Sequence, residues 1–556
     1  MSDCGKWKTI CQFKKERREE AIPPAWKLAF SDQSSDRNVM EVPTSCGILS
    51  PEEIRITSDY DAVSLAEELA KGTYTAEAVT VAFCKRAAIA HQLVTHVMIN
   101  VLLITNCLTE IFFEEAIQEA KALDTERLKH PDKPLGPFHG LPISLKDSFY
   151  VRGQDATIGL ACFANDPAQQ DAPLVSLLRD LGAIVYCKTN VPQTLQTCDT
   201  ENNVFGRTAN PYRLSFTVAG STGGEAALIA LRGSILGVGT DMAGSIRMPS
   251  AVCGIYGVRP SAFIVPFDGQ RNPVPAGMVG MEPTAGPMAT TMRSCQFFLR
   301  AIMAADPTTY DFTAVGLPWT GKDFAPPGHK LRIGYVVDDG VFTPSPPVRR
   351  GLRESMGKLE RAGHTIVPIV LSDVAKALDL AYTMFGIEGG EYLLMLMEST
   401  GEPIVPSVRN MGIVFNSDGS RRSPITIDDL MRANASRFQI AARYAELWRQ
   451  YKLDIILMPP APHTAIPADT WTALSYTVLW NVLDYPACII PVGKVGPGDL
   501  KDQAAGHEAA DEAVYELYSG PEEYENLPIA VQLVGRRHHD EEFTAYAMLV
   551  DSIIRA

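Results

Sequence analysis

The chain has no Cys-x-x-Cys pair, no His-x-x-x-His spacing, no Gly-x-Ser-x-Gly turn and no apolar run of membrane-spanning length. Each absence removes a class of function. Eleven cysteines lie scattered from Cys4 to Cys488 without framework spacing or a neighbouring Cys/His cluster. They read as free thiols of a reducing compartment, with no metal site. The longest apolar stretch, residues 97–104, falls short of the ~18 residues that span a bilayer. Asn100 interrupts it, so it reads as a buried helix or strand. Positive charge is also scarce: 50 Lys and Arg face 65 Asp and Glu, for a net charge of −15. That balance argues against nucleic acid or an anionic membrane as partner. The first residues, Met1 to Cys4 and then the charged run 14–20, lack the apolar core of a secretory signal. The sequon Asn434-Ala435-Ser436 is then read as coincidence. Repeats and low-complexity tracts are missing too. The expectation is a cytoplasmic protein without a transmembrane segment.

What is present is a globular composition, 46% apolar and 21% charged. A length of 556 residues would alone suggest roughly three or four domains. Residues 1–50, mixed in charge and spotted with proline, read as a surface arm. Helix-forming composition predicts helices over 61–70 (stopped by Gly72), 75–90, 110–129, 172–181 (stopped by Gly182) and 347–362 (stopped by Gly363). Strands are predicted over 183–187, 365–370, 454–458, 487–492 and 529–534. Continuous apolar strands alternating with helices indicate a sheet covered on both faces, the α/β class. Residues 316–330 read as a connection and the acidic stretch 495–527 as a surface excursion.

The chemistry concentrates in three motifs. Ser221 sits in Gly220-Ser221-Thr222-Gly223-Gly224-Glu225, and Ser245, twenty-four positions on, in Gly239-Thr240-Asp241-Met242-Ala243-Gly244-Ser245-Ile246-Arg247. Glycine lets backbone N–H groups converge on one point, and converging N–H groups stabilise an oxyanion beside a nucleophilic serine. The same cluster could be a structural nest or a phosphate cradle. The nearest phosphate-loop match, Gly316 to Lys322, places Asp323 where a magnesium-binding hydroxyl is needed, and no strand leads into it. None of the ten histidines falls in a glycine-rich catalytic turn; His139 reads as a structural turn residue. The base must therefore be something other than histidine. Lys146, ending the apolar run of Leu141-Pro142-Ile143-Ser144-Leu145, can serve if burial keeps it neutral. The alternative is a lysine paired with Asp147 or Glu225.

These motifs, with Pro249, Gly254, Gly257, Pro260-Ser261 and the upstream Lys188 to Gln193, resemble the amidase signature family. The likeness covers nearly the whole chain after about residue 45 and is nearest to fungal acetamidase-like general amidases. It implies a single large α/β/α domain around a mixed twisted sheet over 51–556, following the arm of 1–50. It also implies a Ser-Ser-Lys triad: Ser245 as nucleophile forming an acyl-enzyme, Ser221 as relay on a cis peptide within hydrogen-bond reach of both partners, Lys146 as base. Backbone N–H groups of Met242, Ala243, Gly244 and Ser245 would form the oxyanion hole. Leu195 and Thr222 join them as substrate-binding positions, and Met384, Phe385, Gly386 and Trp480 as acyl-pocket candidates. Asp241 and Arg247 would hold the turn. No cofactor or metal is required; the partner would be a small amide, with a homodimer left open.

Departures from the family pattern are Ala219 and Ala243 in place of glycine, Thr222 in place of serine, and an insertion near 94–104. An alanine at 243 would be strained if that position needs positive φ. The rival readings are a hydrolase of long-chain or other specialised amides, and an amidase-like scaffold with impaired catalysis.

Overall fold

A computed structural model describes residues 5–28, 38–97, 101–275, 277–278, 280–416, 418–504 and 506–556. Cys4 and residues 98–100 of the apolar run, Asn100 among them, lie outside these. The centre of the molecule is one sheet of eleven strands. In chain order they are β1 (Leu108–Ile111), β2 (Pro142–Lys146), β3 (Ile184–Thr189), β4 (Leu236–Asp241), β5 (Tyr256–Arg259) and β6 (Thr284–Ala289). The second half adds β7 (Arg332–Tyr335), β8 (Thr365–Pro368), β9 (Ile455–Met458), β10 (Ala487–Lys494) and β11 (Pro528–Val534).

Their order across the sheet is β8-β7-β9-β11-β10-β5-β6-β4-β2-β3-β1. The pairs β8/β7, β7/β9, β4/β2 and β2/β3 are parallel and the remainder antiparallel, so the sheet is mixed. Side chains alternate between the faces with period two. Ile143, Leu145, Val185 and Leu457 pack into one hydrophobic core, while Ile184, Tyr186 and Ile456 pack into the other. Helices cover both faces: Met292–Ala304 packs on β6 over one, and Gly223–Ala230 on β4 over the other. No helix among the described residues is long and apolar enough to cross a membrane.

Three predicted elements differ in detail. The helix expected over 110–129 begins only at Phe113, because Glu110 belongs to edge strand β1. The arm contains a helix, Lys6–Glu20, whose Lys14 Nζ reaches Glu110 (2.5 Å) and Asp155 (2.8 Å) in the interior. The excursion 495–527 carries the helices Ala509–Tyr515 and Pro521–Tyr524, and its Tyr515, Tyr518 and Tyr524 are buried. Tyrosine supplied the apolar area that a count of aliphatic residues missed. Within the insertion, Val94–Val97 pairs antiparallel with Val101–Ile104.

Candidate active site

Lys146 is the last residue of β2, and its side chain leaves the sheet on the face opposite Ile143 and Leu145. The residue is 0% exposed. Its Nζ donates to Ser221 Oγ at 2.7 Å and to Thr240 Oγ1 at 2.7 Å. Neither proposed carboxylate pairs with it. Asp147 accepts instead from Ile158 N–H (2.7 Å) and Thr157 Oγ1 (3.1 Å). Glu225 is held by the hydroxyls of Ser144 and Thr189. Burial lowers the Lys146 pKa to about 7, against the opposing pull of Asp241 and Asp147. A buried ammonium with only hydroxyl partners loses more hydration than they return, so the neutral amine is favoured.

Ser221 lies between the strand Arg213–Thr217 and the helix Gly223–Ala230, and the Gly220–Ser221 peptide is cis. That helix sits directly on β4 because Gly237 has no side chain: a Cβ there would stand 1.9 Å from Glu225 Oε1. The close approach brings the Ser221 turn over the end of β2.

Ser245 occupies the turn between β4 and the helix Arg247–Val252. Asp241 shapes this turn from within. Its carboxylate accepts from Gly244 N–H (2.8 Å), Ile246 N–H (3.1 Å), Asn481 Nδ2 (2.9 Å) and the Arg247 guanidinium (3.0 Å). Burial alone would raise the Asp241 pKa, but Arg247 and these donors hold it well below the usual carboxylate range. Arg247 is braced in turn by the Thr477 carbonyl (3.0 Å) and Gln532 Oε1 (2.9 Å). The two serine turns are joined by Thr222 N–H donating to the Ser245 carbonyl at 3.2 Å.

Four expectations need correction here. Gly244 N–H is taken by Asp241, so it is not available to an oxyanion; the N–H groups of Met242, Ala243 and Ser245 have no partner among the described residues. Positive φ falls on Gly244 (122°) and Ala219 (58°), not on Ala243, so the strained alanine is 219. Thr222 does not line the cavity: its hydroxyl donates to the Thr240 carbonyl at 3.2 Å. Ser221 and Ser245 share a cavity wall, yet no direct hydrogen bond joins their hydroxyls.

The cavity has a volume of about 250 Å³. Ser221, Thr240, Met242 and Ser245 form its floor, and Leu195, Phe267, Met281, Met384 and Phe385 are among its apolar walls. Trp480 is outside it, buried against Tyr444 and Tyr485. Thr240 was not anticipated from the sequence; it lies at the end of β4, the strand beside β2, where its hydroxyl meets the Lys146 amine. His139 remains a turn residue against Gly182. The N–H groups of Thr320 and Gly321, in the near-match to a phosphate loop, donate to Glu541. No group of three or more metal-ligating side chains occurs among the described residues.

The Amidase family model matches residues 78–543. An amidase of Gibberella moniliformis is 36% identical over 560 residues, covering 99% of both chains. An acetamidase of Aspergillus oryzae is 35% identical over 567 residues, again covering 99% of both. Among solved structures, a fatty acid amide hydrolase matches with a TM-score of 0.90 at 28% identity, over 99% of this chain and 95% of that one. The peptide amidase of Stenotrophomonas maltophilia shares the fold, with a TM-score of 0.67 at 22% identity over 90% and 98% of the two chains. Sheet, site and relatives together define an amide-hydrolysing enzyme. The chain belongs to the amidase signature family.

Proposed function

We propose that the protein cleaves carboxylic amides through Ser245, Ser221 and Lys146, by way of an acyl-enzyme. The observation that carries this reading is the buried Lys146 amine, 2.7 Å from Ser221 Oγ and drawn to a pKa of about 7. A base of that pKa is half neutral at pH 7, which suits general-base work. Ser245 Oγ attacks the amide carbon while its proton passes to Ser221 and on to Lys146. The same path returns a proton to the nitrogen as the C–N bond breaks. Water then repeats the sequence and frees the acid. The Met242, Ala243 and Ser245 N–H groups receive the developing oxyanion. The apo hydroxyls close on each other only once an amide is bound, as catalytic hydrogen bonds often do.

The three polar side chains and their intact supports speak against an impaired scaffold. Names of the relatives span short and long amides, an acetamidase and a fatty acid amide hydrolase. We further place the enzyme in a reducing, cytoplasmic setting, since the ten described cysteines are all free. Ser245→Ala should lower turnover by about 10⁴-fold or more, with an unchanged thermal midpoint. Loss of less than about tenfold would remove Ser245 as the nucleophile. Mass spectrometry after a serine-reactive phosphonate should find the label on Ser245.

A further inference from the structure

Ser245 stands at a junction. On one side is the cavity of about 250 Å³; on the other is a second, of about 40 Å³. The two share Leu195, Gln196, Met242, Ser245 and Phe385. The small one is closed off by Thr197, Cys198, Ala243, Met248, Ile413 and Leu474, apolar apart from the weakly polar thiol and the Thr197 hydroxyl, which donates to the Ser407 carbonyl at 3.2 Å. A water-sized group needs roughly 10–15 Å³ of such space, so the small compartment takes about three heavy atoms and the large one about twenty.

The relay side chains are divided unequally. Ser221 and Thr240 face the large compartment only. Resting on the catalytic reading above, this asymmetry sets the direction of the substrate. The departing nitrogen must take its proton from Ser221, so it lies on the large side. The water that later attacks the acyl-enzyme must give its proton to the same hydroxyl, so it enters where the amine has left. An acyl group in the large cavity would force amine and water through a compartment of three atoms that holds neither Ser221 nor Thr240. The acyl group therefore belongs in the small one.

We infer that the preferred substrates are N-substituted amides of short acids: an acyl group of about two to four carbons with a bulky amine, whose compartment adds Gln270, Arg271 and Glu282 to its apolar walls. Ile413 and Leu474 set the acyl length. The bond made is Ser245 Oγ–C and the bond broken is C–N. The amine leaves neutral, carrying the proton that Ser245 gave up. Water then restores that proton and releases the acid. Phe267, Met281, Met384 and Phe385 would cover the amine, the methionines adapting to its shape.

The test is a panel of 4-nitroanilides from acetyl to octanoyl, set beside primary amides such as 4-phenylbutyramide and octanamide. Wild type should favour acetyl to butyryl anilides, and kcat/KM should fall about tenfold or more per step beyond that length, the scale of one misfitting methylene. Ile413→Ala and, independently, Leu474→Ala should raise the hexanoyl-to-acetyl ratio of kcat/KM by about tenfold or more. Preference for the bulky primary amides, or an anilide series that rises with acyl length, would overturn the assignment and leave the catalytic reading standing. Failure of every amide to acylate Ser245 would overturn both.

Discussion

Lys146 should cost the protein stability, and the cost should depend on pH in one direction only. Drawing its pKa from 10.5 to about 7 corresponds, at about 1.4 kcal/mol per pH unit, to about 5 kcal/mol of destabilisation in neutral solution. Lys146→Met keeps the volume and removes this cost. It also strands the hydroxyls of Ser221 and Thr240, for about 3 kcal/mol together. The variant should thus be about 2 kcal/mol more stable at pH 7, though without activity. The sign of the pH effect follows from proton counting. Below pH 7 the lysine is charged in both states and the cost is constant. Between 7 and 10.5 the unfolded chain keeps a proton that the folded chain has released, so wild-type stability rises with pH. From pH 7 to 9 the gain is about 2 kcal/mol, which should erase the lead of the variant. Urea unfolding of both proteins at the two pH values, followed by tryptophan fluorescence, measures the difference; other titrating groups cancel between them. A lead that stays constant from pH 7 to 9, or a variant less stable at pH 7, would refute a neutral buried lysine.

The same amine predicts the pH–rate profile: kcat/KM should fall about tenfold per unit below pH 7, since only the neutral form accepts a proton. Burial lowers the pKa of both His91 and His463 to about 4, so an acid limb near that value would point to histidine instead. Asp241→Asn removes a charge that raises the Lys146 pKa, so any residual activity should show the acid limb shifted to lower pH. It also leaves Arg247 buried without its counter-charge, costing about 3–5 kcal/mol in a denaturant titration. Gly237→Ala should lift the helix Gly223–Ala230 off β4, since its Cβ meets Glu225 Oε1 at 1.9 Å. The expected loss is about 1–3 kcal/mol, with kcat reduced more than KM is raised; a fully active, equally stable variant would show that the Ser221 turn does not depend on that contact.

About half of the sheet was readable because strands buried on both faces are continuous apolar runs, and β3, β9, β10 and β11 each appear as one, whereas β1, β4, β5, β6 and β7 do not. Their order was not, since it depends on pairings between residues hundreds of positions apart. Lys146, Ser221 and Ser245 stood out because local rules are broken there: a charge ends an apolar strand, and hydroxyls interrupt glycines. Thr240 did not stand out, for a threonine in a strand breaks no rule. The first helix was missed for a related reason. Lys14 and Arg18 sit in a run that reads as solvated, yet at four residues' spacing they share a helix face. Their partners, Glu110 with Asp155 and the Leu108 carbonyl, are far off in the chain. The Gly244 N–H was misassigned because an aspartate three residues back claims it.

The braces of Arg247 have a consequence for how the protein is made. Thr477, Asn481 and Gln532 reach the Ser245 turn, through Arg247, from the last fifth of the chain. A polypeptide emerging from the ribosome has Lys146, Ser221 and Ser245 in hand early, but not the side chains that set Ser245 in place. β5 likewise waits for β10 on one edge. On the catalysis proposed above, hydrolytic competence arrives late, with the final strand, and a chain that stops before residue 532 keeps the three side chains and lacks the braces of the Ser245 turn.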